Sequence, residues 1–432
     1  NEFPFNDREI RRKHISEDHI DEVEALEHDN GTVSFFVQKT FHFEEKMSNC
    51  SLDDEITLVN MPLIAILSAA KAMNESLYNY LRFALLTVDE AKHFTNTRKV
   101  REWLFEGYQS EIISTIIDKI ESLPPELLPP GDILPPEYAK GKFGLYLNNE
   151  TDDGWYNIKN GADDIKEVGV VAEWEYSDVL PASYWLGNKS DSSDSECHKI
   201  IGTDGTMFHP NMDKDEKVYI FNTDLCRSIY AVYRKEIEHR GIKGYRYEVP
   251  EEVLYGWEKN PDNRCFCLEE LDNSEACLGD GLLDLSGCEN HVPLIMSLPH
   301  FLSAEQSTMD MVAGGLSPSE EEHQTYLEIE PLTGLPLRLA KKVQFNLKIS
   351  HELTGLVAMA DFIKHGNTTI LPLVWVNEYT ELDEENADRW KDKVGRLIKG
   401  NEIGRWVLLA VGLAVAALGA VLFFRGKKRM NI

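Results

Sequence analysis

The chain has 432 residues, 42 % of them hydrophobic, and carries 74 Asp and Glu against 44 Lys and Arg, a formal net charge of −30. That balance excludes nucleic acid as a default partner, because a duplex-binding surface needs clustered Lys and Arg. It also requires any anionic ligand to find a local basic patch.

In chain order, residues 31–45 place apolar side chains at Val33, Phe35, Val37, Phe41 and Phe43, the period-two pattern of a strand. From Glu55 to Met73 and on to Val88 the sequence turns rich in Leu and Ala without glycine, which predicts two helices joined near Asn74. A third helix is expected over Thr97 to Tyr108. A fourth is expected over Glu111 to Leu123, with Ile112, Ile113, Ile116, Ile117 and Ile120 as an apolar stripe that core packing would account for. The proline-dense run 124–136 excludes regular structure. Beyond it, short aromatic and β-branched runs predict strands at 143–147, 168–176, 217–221, 245–249, 293–298, 325–329, 343–349 and 370–376. The fold class expected is α+β: a large antiparallel β domain with a helical insertion over about residues 55–123.

Residues Trp406 to Phe424 hold no charge, proline or amide. At about 1.5 Å per residue this is roughly 28 Å of helix, close to the hydrocarbon thickness of a bilayer. The segments expected are therefore an ectodomain over 1–404, a transmembrane helix over 405–425 and a short tail over 426–432. Arg425, Lys427, Lys428 and Arg429 favour a cytoplasmic tail and an extracellular or lumenal ectodomain. Six Asn-x-Ser/Thr sequons, at Asn30, Asn49, Asn74, Asn149, Asn188 and Asn367, point the same way as glycosylation sites. So do seven cysteines, six of them between Cys197 and Cys288. Cys265 and Cys267 stand one residue apart, which suits divergent disulfides better than a tetrahedral metal site, and six cysteines leave 15 connectivities open. Cys50, inside the Asn49 sequon, is the odd cysteine. The N-terminus begins in polar sequence and reads as trimmed.

No phosphate-binding glycine loop, nucleophile elbow or complete zinc-protease helix occurs. His351-Glu352 lacks the second histidine, and Glu320-Glu321-Glu322-His323 reads as a solvated acidic turn. The chain is not expected to be an enzyme or to need a cofactor or metal.

Several short motifs fall in one order. Arg101 to Tyr108 (REWLFEGY) comes first, followed by Gly202 to Gly205 (GTDG), Cys226 to Val232 (CRSIYAV) and Gly244 to Tyr247 (GYRY). Asn260 to Cys267 (NPDNRCFC), Gly281 to Cys288 (GLLDLSGC) and Ser297 to Phe301 (SLPHF) follow, then Glu321 to His323 (EEH), Ile329 to Gly334 (IEPLTG) and Leu371 to Trp375 (LPLVW). Over roughly residues 3 to 424 the chain resembles the class B scavenger receptor family, which includes the fatty-acid translocase and the lysosomal integral membrane protein. Glu106 departs from the pattern at a position usually apolar or aromatic. The family has a second span near its N-terminus, so the chain reads as incomplete. The tail lacks an acidic dileucine signal, which favours the cell membrane over the lysosomal or endosomal membrane.

The resemblance implies a β-barrel core, a helical bundle at the membrane-distal apex and an apolar tunnel toward the bilayer. It implies pairing of Cys197 with Cys265, Cys226 with Cys288 and Cys267 with Cys277. Its function would be reception of fatty acids, sterols, other lipids or lipoproteins at the apex and their passage to the membrane. Lys92, His93, Arg98, Lys99 and Arg101 are the candidate basic patch there for lipid carboxylates or anionic ligands. The alternative is a sorting receptor that holds a soluble protein cargo on the helical bundle, which an exposed stripe on 111–123 would favour. A homo-oligomer is compatible with either.

Overall fold

A computed structural model describes the chain except residues 1–4, 17–18, 22–25, 29, 44, 46–47, 124–133, 135–137, 148–150, 186–195, 269–276, 290, 350–367 and 431–432. The proline-dense run and the sequons at Asn149, Asn188 and Asn367 therefore lie largely or wholly outside the described residues.

Two antiparallel sheets carry most of the chain. In the first, neighbours run in the order Val171–Trp174, Thr151–Lys159, Thr32–Phe43, Phe5–Ser16 and His19–Asp21, with Leu26–Glu27 also on Thr32–Phe43. In the second the order is Val218–Asn222, Arg227–His239, Ile242–Glu248, Tyr326–Glu330, Leu335–Ile349, Leu294–Ser297 and Leu282–Asp284, with Thr369–Glu381 also paired to Leu335–Ile349. Among the described residues the ladders form open paths, and isolated bridges from Val170 to Thr203 and from Thr203 to Ile220 connect an edge of one sheet to an edge of the other. Gly202 makes that approach possible. Its φ is +94°, and a Cβ there would stand 2.1 Å from the Tyr219 carbonyl oxygen.

Between Thr32–Phe43 and Thr151–Lys159 lie α1 (Met61–Met73), α2 (Glu75–Leu85), α3 (Val100–Leu104) and α4 (Glu111–Glu121). Asn74 is the joint expected between the first two. Its backbone N–H closes α1 on the Ala70 carbonyl, and its side-chain oxygen accepts from the Ser76 and Leu77 amides to start α2. Helix α1 begins later than expected. Glu55–Val59 carries β-branched Ile56, Thr57 and Val59 and pairs with Thr95–Lys99, so the helix waits for the Asn60 cap and Pro62 in its first turn. The same hairpin shortens the expected third helix to Val100–Leu104, and Gly107, at φ +66°, bars its extension. The strand expected at 143–147 contracts to Lys142–Phe143.

The helices share one apolar core with the strands. Leu63, Leu67, Leu77, Leu81, Trp103, Ile112 and Ile116 are buried together with Leu347 and Ile349, and Leu371 and Leu373 pack against them. Residues two apart in a strand share a face, so the ends of two paired strands turn both residues of each pair toward the helices. The isoleucine stripe of α4 belongs to this core: Ile112, Ile113 and Ile116 are buried, and Ile117 and Ile120 are partly so.

The C-terminal helix, Arg396–Met430, runs 35 residues without a break and extends well before the expected span. Trp406, Leu408 and Leu413 are each more than 60 % exposed. By length and composition this is the one helix among the described residues that is long and apolar enough to cross a membrane.

Candidate functional site

The five basic residues singled out from sequence lie on three neighbouring segments of the helical unit. Lys92 closes the short 3₁₀ turn Glu90–Lys92 and His93 follows it. That turn is anchored from inside. The buried Asn60 amide donates to the carbonyls of Glu90 and His93, at 2.8 and 3.0 Å. The buried Glu90 carboxylate accepts from the Ser110 hydroxyl and the Ile112 amide at the start of α4, at 2.9 and 3.1 Å. Arg98 and Lys99 end the strand Thr95–Lys99, and Arg101 lies in α3.

The site is less basic than its sequence. Lys92 pairs with Asp89 at 3.2 Å, and the His93 ring stands 3.9 Å from the same carboxylate. Asp53 bridges Lys99 and Arg101, at 3.1 and 2.9 Å, and Arg101 also reaches Glu106 at 3.1 Å. Hydrogen bonding from Lys99, with the charges of Arg101 and Lys99 behind it, holds the Asp53 carboxyl below its ordinary value. The bond to Glu106 raises the Arg101 guanidinium. Arg98 donates to the Thr97 carbonyl and lies over the Tyr108 ring, 4.8 Å from its centroid. Burial, then the Glu90 carboxylate, raises the Tyr108 phenol. Lys92, Lys99 and Arg101 are thus matched to carboxylates, and Arg98 is committed to an aromatic face. Sequence inspection missed Asp53, Asp89 and Glu106 as partners. Asp89 three residues before Lys92 was the readable signal.

The exposed apolar side chains of this unit lie on or just beyond α2, where Phe83 is 76 % and Leu86 49 % exposed, and not on α4.

Three disulfides join Cys197 to Cys265, Cys226 to Cys288 and Cys267 to Cys277, with Cα separations of 6.0, 6.5 and 5.5 Å. Trp185 packs among them, donating its indole N–H to the Cys226 carbonyl at 2.8 Å and standing edge-on to Phe266. Cys50 is a thiol. Among the described residues one group, Cys226, Cys288 and Glu289, has metal-ligand spacing, but both of its sulfurs are held in a disulfide and offer no thiolate. Of the sequons described, Asn30, Asn49 and Asn74 are all exposed.

Residues 17–423 match the CD36 family. The chain is 30 % identical to human lysosome membrane protein 2, over 99 % of its own length and 79 % of the relative's. To sensory neuron membrane protein 2 of Ostrinia furnacalis it is 28 % identical, over 91 % of its own length and 74 % of the relative's. The chain belongs to the CD36 family, a class of membrane receptors related to the scavenger receptors. Its relatives carry the names of the lysosome membrane and of a sensory neuron membrane, so both addresses expected from the sequence occur within the family.

Proposed function

We propose that the chain is a membrane-anchored receptor that takes up lipids or lipoprotein-borne lipid at its helical end and passes the lipid through an apolar interior to the membrane. In this reading residues 1–404 form the extracellular or lumenal part, the two sheets wrap into a barrel, and the helices stand at its membrane-distal end. The observation that carries it is the continuity of the helical core with the strand ends at Leu347, Ile349, Leu371 and Leu373. A lipid chain outside water avoids about 0.8 kcal/mol per methylene, so an apolar path lowers the barrier to delivery without any chemistry. Fatty acids and sterols are the substrate class. Because its cations are largely paired, the apex would recognise anionic ligands through exchange of Asp53, Asp89 and Glu106 for the ligand's charge. The bridges through Thr203 support barrel closure.

Leu371→Trp and Leu373→Trp narrow this path at partly buried positions. Both should slow transfer of a fluorescent fatty acid into the host membrane while leaving the amount of protein at that membrane unchanged. Unaltered transfer by both refutes the conduit.

A second reading, a receptor for a soluble protein on the helical end, is favoured by the exposure of Phe83 and Leu86. Phe83→Asp would abolish such binding and leave lipid transfer intact.

A further inference from the structure

The turn Glu320–His323 is solvated only in part. Its three glutamates are exposed, but His323 is 4 % exposed. The His323 ring stacks on that of His300, with centroids 4.4 Å apart and planes 20° apart, and stands edge-on to Trp375. The Ser317 amide donates to His300 Nδ1 at 3.1 Å, and the Ser319 amide donates to His323 Nδ1 at 3.0 Å. An Nδ1 that accepts carries no proton, so both rings are neutral with the proton on Nε2. Pro318, between the two serines, has no amide to offer.

The two rings tie down the base of one segment. Residues 303–316 depart after His300 and return at Ser317, and on the way Met309, Val312 and Leu316 pack over Ile295, Phe301 and Ile370. The departure is strained. His300, Phe301 and Ser303 have φ of +56°, +57° and +64°, a region that residues other than glycine rarely occupy and hold only where their surroundings impose it. The Gln344 side-chain oxygen, accepting from the His300 amide at 2.9 Å, is one such restraint. The histidine ties are others.

Histidine changes its charge between about pH 5 and 8. A proton on either Nδ1 replaces an acceptor with a donor that faces an amide, and the tie is lost. Protons on both rings would set two cations face to face. Among the described residues, Glu320, Glu321 and Glu322 on the same short helix favour protonation. Lys342, from the strand Leu335–Ile349, opposes it; the lysine donates to the Glu322 carbonyl and lies over the Tyr326 ring. Trp375 and Gln344 are uncharged. The segment's own carboxylates are engaged, Glu305 with the Asp280 amide and the Ser307 hydroxyl, and Asp310 with the Gln306 amide group.

We propose that the His300–His323 pair is an acid-sensitive clasp that holds segment 303–316 in place at neutral pH and releases it on acidification, uncovering Ile295, Phe301 and Ile370. The device does not depend on the lipid route.

The test is hydrogen–deuterium exchange of the full chain in nanodiscs, corrected for the intrinsic rate at each pH and read on peptides from 303–316, with Thr32–Phe43 as the control. In the wild type, exchange in the segment should accelerate at least fivefold between about pH 7.4 and about pH 5.5, with a midpoint in the histidine range, while the control is unchanged. In His300→Asn/His323→Asn the asparagine Oδ1 stands in for Nδ1 and accepts from the amide at every pH, so the acceleration should fall below twofold. An unchanged wild type, a midpoint below about pH 4.5, where carboxylates titrate, or full acceleration in the double variant overturns the proposal. If the double variant does not fold, His300→Asn is read in its place, and an acceleration equal to that of the wild type overturns it.

Discussion

Removing the Cys226–Cys288 bridge should be more costly than removing Cys267–Cys277, and by a calculable margin. The residues of the first pair are 62 apart in sequence and those of the second 10. In the chain-entropy treatment a loop of the first size constrains the unfolded state by about 4.3 kcal/mol and one of the second by about 2.8 kcal/mol at 25 °C. The expected difference is about 1.5 kcal/mol, favouring retention of the long bridge. Packing adds to it, because Trp185 is 2 % exposed and donates to the Cys226 carbonyl, so relaxation there loosens a buried indole. The assay is guanidinium unfolding of Cys226→Ala/Cys288→Ala and Cys267→Ala/Cys277→Ala in the full chain, followed by tryptophan fluorescence in one detergent. A larger loss from the short-loop pair, or equal losses, would refute the reasoning, since native-state strain or residual unfolded structure would then outweigh loop entropy.

Asn74→Ala removes the side-chain cap of α2 and should cost about 1 kcal/mol in unfolding free energy, whereas Asn30→Ala, which loses one hydrogen bond to Thr32, should cost less. Glu328→Ala strands Arg246 and Arg338 beside a residue of 0 % exposure and should cost on the order of 3–5 kcal/mol, measured the same way. Because the folded pKa of Asp53 lies below its ordinary 3.8, its ties to Lys99 and Arg101 stabilise above that value and are lost as pH falls through the depressed one. Proteolytic cleavage near residues 53–55 should therefore rise below about pH 4, and Asp53→Asn should remove the pH dependence; a rise between pH 5 and 7 would contradict it. Glycosidase treatment of protein made in animal cells should lower its mass, and an unchanged mass would reverse the proposed orientation.

Much of the fold could be read from local signals. Alternation marked Thr32–Phe43 and the later strands, and Asn74 marked the joint between two helices. Such signals fail where a segment's partner lies far off in sequence. Glu55–Val59 reads as the start of a helix until it is set beside Thr95–Lys99, forty residues later. The strand Phe5–Ser16 was invisible because its charged residues obscure any alternation, and pairing with Thr32–Phe43 is what defines it. The partners of the basic residues were hidden in a related way. Lys99 and Arg101 look like free cations in the chain, yet the hairpin brings Asp53 onto both. That the C-terminal run is helical could be read from its length and apolarity, but not that the helix starts back at Arg396.

The measurement that bears most directly on the account is transfer of a fluorescent fatty acid from donor vesicles to the bilayer that holds the reconstituted full chain. The account predicts that transfer is faster with the wild type than with protein-free vesicles and returns toward the protein-free rate in Leu371→Trp and Leu373→Trp, with Phe83→Asp transferring normally. Transfer at the protein-free rate by a correctly folded wild type, or full transfer by both tryptophan variants, would contradict it.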